Sequence, residues 1–122
     1  MAVPDLTTAM ESLRRLADVL AVAVVRRDGL IIAHILPVGS DPKKVAAMCA
    51  ALVGTSEFAA TELRQGKFLQ SIVEAEGGKV ISTGAGEGAL LLTIVRPDAN
   101  MGLVLMRIER AAREIEVILS GI

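Results

Sequence analysis

Residues 66–95, GKFLQSIVEAEGGKVISTGAGEGALLLTIV, fall into three strand-like runs divided by glycines. Lys67 to Ala75 is mixed in polarity, Gly77-Gly78 makes a tight turn into Lys79 to Thr83, and Gly84, Gly86 and Gly88 separate that run from Ala89 to Val95. Three strands joined by such short connections make an antiparallel meander. The last run, ALLLTIV, is apolar at odd and even positions alike, so it needs cover on both faces of its sheet.

Upstream, the run VLAVAVV, Val19 to Val25, has the same two-sided character. Asp28-Gly29 then turns the chain into a second apolar run, Leu30 to Leu36, which Pro37 and Gly39 end. Asp41-Pro42 opens a long helix, an N-cap acceptor followed by proline at the first helical position, and Gln65-Gly66 stops it after about Arg64.

A first helix begins near Asp5 or Thr8. Thr8 and Glu11 have capping-box spacing, Leu6, Met10, Leu13, Ala17 and Leu20 follow at helical intervals, and Arg14 and Arg15 point away. Pro97 to Asn100 turns the chain into a last helix with Val104, Ile108, Ala111, Ile115, Ile118 and Leu119 on one side. The order is α-β-β-α-β-β-β-α: an α/β (α+β) chain in which a hairpin and a meander form one antiparallel sheet. Its doubly apolar strands require helices on both faces, hence a three-layer α/β/α sandwich. Without repeats, low-complexity stretches or a long linker, residues 1–122 read as a single domain.

The 122 residues are 52% hydrophobic and 22% charged, with a mean hydropathy of +0.56, more apolar surface than a soluble monomer ordinarily hides. Oligomerisation would close some of it. Thirteen Lys and Arg against 14 Asp and Glu leave a net charge of -1, and with no Trp, no Tyr and only Phe58 and Phe68, a nucleic-acid partner is not expected. No apolar run reaches the roughly 20 residues of a membrane helix, and Met1 to Asp5 lack the basic segment of a secretory signal. The single Cys49 agrees with a reducing compartment. A cytoplasmic protein without membrane insertion is expected.

The segments RRDGLIIAHILP (26–37), SDPKKVAAMCAAL (40–52), residues 66–95 and NMGLVLMRI (100–108) together resemble the roadblock (dynein light-chain) family over about residues 5 to 120. The specificity lies in the ordered set, since each piece is short and hydrophobic. Within that family the chain resembles archaeal and bacterial MglB-like single-domain members. The resemblance implies a roadblock/profilin-like, five-stranded sheet with the long middle helix on one face and the terminal helices on the other. It also implies a homodimer, with long helices side by side and third strands paired edge to edge, that binds or regulates a Ras-like small GTPase.

The residues give chemistry little footing. The Gly84, Gly86, Gly88 series would let backbone donors approach a phosphate, but a strand follows where a nucleotide motif needs a helix, so a strand-to-strand turn is expected. His34 is the only histidine and has no second cysteine or carboxylate cluster beside it, so neither a metal nor another cofactor is expected. A Ser or Cys49 nucleophile would need His34 as base, yet His34 falls late in the second strand and Cys49 points inward from a helix. Glu74 and Glu76, two apart, read as one solvated strand face, and Glu109–Arg113 and Arg110–Glu114 as surface helix pairs. No catalytic residue is expected.

The long helix is the most informative segment. Val45, Met48, Cys49, Leu52, Ala59 and Leu63 form a stripe expected to lie on the sheet, with Ala47, Ala51, Gly54 and Phe58 nearly opposite. High alanine content alone is explained by helix propensity. It does not explain an aromatic on the outer face or a mid-helix glycine costing about 1 kcal/mol. That face, with Leu69, Ser71 and Val73 of the third strand, is the expected dimer interface. Lys43, Lys44, Ala47, Ala50 and Thr61 form the expected partner patch. The function expected is a non-catalytic homodimeric regulator or scaffold for a Ras-like GTPase. The alternatives are a sensor-like domain holding a small ligand between sheet and helix, and a purely structural subunit of a larger assembly.

Overall fold

A computed structural model describes residues 5–121. Residues 1–4, which carry most of the expectation about a secretory signal, and Ile122 lie outside the described residues. The chain runs α1 (Leu6–Arg14), β1 (Val19–Arg26), β2 (Ile31–Ile35), α2 (Pro42–Glu62), β3 (Gln70–Ala75), β4 (Gly78–Gly84), β5 (Ala89–Val95), α3 (Met101–Leu119). The five strands form one antiparallel sheet in the order β2-β1-β5-β4-β3. The element order and fold class read from the sequence are those observed.

The two runs that are apolar on both faces, β1 and β5, pair with each other at the centre, with Val22 opposite Thr93 and Val24 opposite Leu91. Val22 and Val24 join Leu91, Val95 and Ile81 in the core under α1 and α3, while Ala23 and Val25 join Leu90 and Leu92 in the core under α2. A register shift between Val19 and Ala21 lets Val19 share the face of Val22 and Val24, so period-two counting alone would misplace it. α3 contributes Val104, Ile108, Ala111, Ala112 and Ile115, α1 contributes Ala9, Met10 and Leu13, and α2 contributes Ala46, Cys49 and Val53. Each fully buried Val, Leu or Ile stabilises the fold by roughly 1.5–3 kcal/mol.

Some boundaries differ from the sequence reading. Asp5 caps α1: its carboxylate accepts from the Thr8 backbone N–H at 2.8 Å, which makes Thr8 the third helical residue and not the cap. The helix stops at Arg14, so Ala17 is exposed and Leu20 belongs to β1. β3 starts at Gln70 and not Lys67, and the turn that follows is Glu76-Gly77, because Gly78 already pairs with Ala75. Glycine is required at 78, where a Cβ would run into the Val95 carbonyl. Glu76 therefore sits in the turn, off the strand face that holds Glu74 opposite Lys79.

The largest correction concerns the rotation of α2. Ala46, Cys49 and Val53 face the sheet, with Val45 packed beside them, whereas Met48 (46% exposed), Ala59 and Leu63 (69%) do not. Apolar residues surround α2 on nearly all sides, so the pattern does not fix which stripe is buried. Small Ala46 and Cys49 let the helix axis approach the sheet more closely than a Met and Leu stripe would.

Candidate interaction surface

Asp41 caps α2, its carboxylate accepting from the backbone N–H of Lys43 at 3.0 Å and of Lys44 at 3.4 Å, with Pro42 in the first turn. At the far end, Arg64 takes a left-handed conformation (φ 56°) and the Gln65 N–H donates to the Ala60 carbonyl at 2.8 Å, so the helix ends at Glu62, two residues short of the expected end near Arg64. Between these ends α2 is seated on the sheet through Ala46, Cys49 and Val53, which turns its opposite face outward.

That face carries Ala47, Ala51, Gly54 and Phe58, all exposed, Phe58 at 67%. A Cβ on Gly54 would meet nothing within 4 Å, so the space above the helix is open. Two hydroxyls that would make the helix polar are turned into it: Thr55 Oγ1 donates to the Ala51 carbonyl and Ser56 Oγ to the Leu52 carbonyl, each at 2.8 Å. Ser56 Oγ also lies 3.5 Å from Ser71 Oγ, which ties α2 to β3. Residues alternate across a strand, so Val73 stands on the same side of the sheet as Ser71, while Leu69 directly precedes the strand. Leu69 is 77% exposed and Val73 partly so. β3 is an edge, hydrogen-bonded only to β4. An apolar helix face and an open strand edge are thus adjacent.

Lys43, Lys44, Ala47 and Ala50 gather at the N-terminal end of α2, Ala50 half-buried against the β1–β2 turn, where Gly29 comes close to Ala47 and Ala50. Thr61 is not part of that cluster: at 1.5 Å per residue it lies roughly 20 Å along the helix from Ala47. It is exposed on the last turn.

Sequence reading missed one pair. Arg27, from the β1–β2 turn, grips Glu57 of α2 through both carboxylate oxygens at 2.8 and 3.0 Å and donates to the Gly86 carbonyl at 3.4 Å. One guanidinium thereby joins the first hairpin, the long helix and the β4–β5 turn. Thirty positions separate the partners, and each alone reads as a solvated charge.

The glycine series is a strand-to-strand turn, with Gly86 at positive φ facing Glu116 and β5 following directly. Cys49 is fully buried, its Sγ 3.9 Å from Ser82 Oγ, and burial pushes its thiol pKa up, against thiolate formation. His34 is exposed on edge strand β2. Arg113 and Glu109 pair at 2.8 Å, and Arg110 and Glu114 at 3.5 Å, as surface pairs. No helix among the described residues is long and apolar enough to cross a membrane.

Residues 6–95 match the family model described as the Roadblock/LC7 domain. The chain belongs to the Roadblock/LC7 family. An uncharacterized protein of Methanocaldococcus jannaschii is 39% identical over 93 residues, which is 76% of this chain and 81% of that one. Among solved structures, Myxococcus xanthus MglB superposes with a TM-score of 0.88 at 21% identity, covering 96% of each chain. A Roadblock/LC7 domain from Streptomyces avermitilis gives 0.87 at 18% identity, over 96% of this chain and 99% of that one. At such identities the structural likeness establishes the Roadblock fold, including the placement of α2 alone on one face of the sheet and α1 with α3 on the other.

Proposed function

We propose that this Roadblock/LC7 chain is a non-catalytic, cytoplasmic homodimer that serves as a regulator or scaffold for a Ras-like small GTPase. The observation that carries the reading is the exposed face Ala47, Ala51, Gly54 and Phe58 beside the open β3 edge. A lone helix whose small residues admit close approach, flanked by an aromatic anchor, suits packing against its own copy about a two-fold axis. Pairing of β3 with its copy through Leu69, Ser71 and Val73 would cap an otherwise open edge. The family resemblance supplies the GTPase, seated across both subunits.

In such a dimer the two α2 N-termini bring Lys43, Lys44, Ala47 and Ala50 together twice, small residues rimmed by positive charge that bind without a deep pocket. Thr61 of each copy marks the far margin of the same helix face. Action on the GTPase then rests on unequal affinity for its two nucleotide states, about 1.4 kcal/mol for each tenfold preference. The test is the affinity of a Ras-like GTPase of the same organism, loaded with GDP or a GTP analogue, for the wild type and for Lys44→Glu. Unequal affinities, weakened by the charge reversal, are expected. Equal affinities reduce the protein to a scaffold, and failure of every small GTPase to bind favours a ligand-binding domain.

A further inference from the structure

On the face opposite α2, α1 packs on β1 and β2 and α3 on β4 and β5. Strands lie about 4.8 Å apart and a helix is about 10 Å wide, so each helix roofs two strands and β3 is left beyond the edge of α3. Its residue on that side, Ile72, opposite buried Ile81, is 38% exposed. Here an open groove of about 1040 Å³ runs between α3 and the start of β3, reaching the β4–β5 turn. Its α3 wall is built from Leu105, Ile108, Glu109, Ala112, Arg113 and Glu116, positions three or four apart that make one helix face roughly 17 Å long.

We propose that this groove is a second docking surface and that its occupant is an amphipathic helix with a basic flank, supplied by another protein. The open groove lies at the upper end of the roughly 300–1,000 Å³ of a typical small-molecule pocket, and its α3 wall is long enough for about three turns of a helix laid beside it. Its apolar contacts are in place: Met106, 58% exposed, and Leu69 project beside Leu105, Phe68 and Ala112. The charge of its rim selects the partner. Among the lining residues, Arg27 is spent on Glu57 and Arg113 on Glu109, which leaves Lys67 against Glu87 and Glu116. An incoming helix with lysines or arginines along one flank meets this acidic excess, and an acidic one is repelled. The α3 wall of this surface lies on the other side of the sheet from α2, and the groove reaches α2 at its Arg27–Glu57 end.

The test uses the full chain and two fluorescent peptides of about 18 residues that form amphipathic helices, one of Leu and Lys and one of Leu and Glu. Anisotropy titrations are expected to show the Leu/Lys helix binding at least about tenfold more tightly than the Leu/Glu helix. Met106→Arg should weaken the Leu/Lys helix by about tenfold or more, and Glu87→Lys with Glu116→Lys should erase the preference between peptides. All three positions are exposed, and circular dichroism checks that the variants fold. Equal affinity for the two peptides overturns the proposal. So does Leu/Lys binding that survives Met106→Arg but is lost with Phe58→Arg, which would put the peptide on α2. A change in the self-association of the chain on Met106→Arg, with no peptide bound by the wild type, assigns the groove to a second copy and also overturns it.

Discussion

Replacing Phe58 by alanine separates folding from assembly. The side chain is 67% exposed in the single chain, so its removal leaves no cavity and should change folding stability by no more than about 0.5 kcal/mol. In a two-fold dimer the same ring is buried in both copies. Complete burial of a Phe side chain is worth about 1.5–3 kcal/mol, and two thirds of that remains to be gained, so each copy contributes roughly 1–2 kcal/mol and the dimer roughly 2–4. The dimer dissociation constant should rise about 30- to 1,000-fold. Sedimentation equilibrium over a concentration series measures it, and urea unfolding of the monomeric variant gives the folding term. Fully buried Ile115 is the control: Ile115→Ala should cost about 2–5 kcal/mol of folding stability through the cavity it leaves. An unchanged dimer constant in Phe58→Ala, or a wild type that is monomeric at micromolar concentration, would refute the placement of the interface on this face.

Further substitutions test the local arguments. Arg64→Gly should stabilise the chain by up to about 1 kcal/mol in thermal or urea unfolding, because Arg64 holds a left-handed conformation (φ 56°) that glycine adopts freely. Cys49 should resist alkylation in the native state. Its pKa is raised from an ordinary value near 9.0, so the folded protein keeps a proton that the unfolded chain releases; stability is intact below about pH 9 and falls as pH rises above it, which Cys49→Ala should abolish in a pH series of unfolding curves. Arg27→Ala removes a half-exposed bidentate pair worth about 0.5–1 kcal/mol after solvent screening, and hydrogen exchange should quicken in the Gly84–Gly88 turn, where the guanidinium holds the Gly86 carbonyl.

Most of the fold was legible because its strongest signals are local. VLAVAVV and ALLLTIV are apolar on both faces, and such strands belong at the centre of a covered sheet, where they lie. Asp41-Pro42 and Asp28-Gly29 punctuate the chain where the helix and hairpin begin. What was not legible depends on tertiary choice. The sequence offers Asp5 and Thr8 as starts of α1, and only the bond from the Thr8 N–H to the Asp5 carboxylate decides for Asp5. The rotation of α2 escaped the hydrophobic pattern because Met48, Leu63 and Phe58 are as apolar as the residues that are buried. The candidate surface was half legible: Gly54 and Phe58 stand out on a helix, whereas Arg27–Glu57 and the uncovered flank of β3 exist only once distant elements meet. Thr61 shares the helix with the lysine patch but not its neighbourhood, since helical periodicity gives a direction around the axis and says nothing of distance along it.

The central claim is that two copies of this chain together present the surface a Ras-like GTPase reads. Light scattering coupled to size exclusion, on the wild type mixed with a Ras-like GTPase of the same organism loaded with a GTP analogue, measures the mass of whatever complex forms. A complex of two chains and one GTPase is expected, which falls apart when Lys44→Glu replaces the wild type. A complex of one chain with one GTPase, or no complex with any small GTPase of that organism, would contradict it.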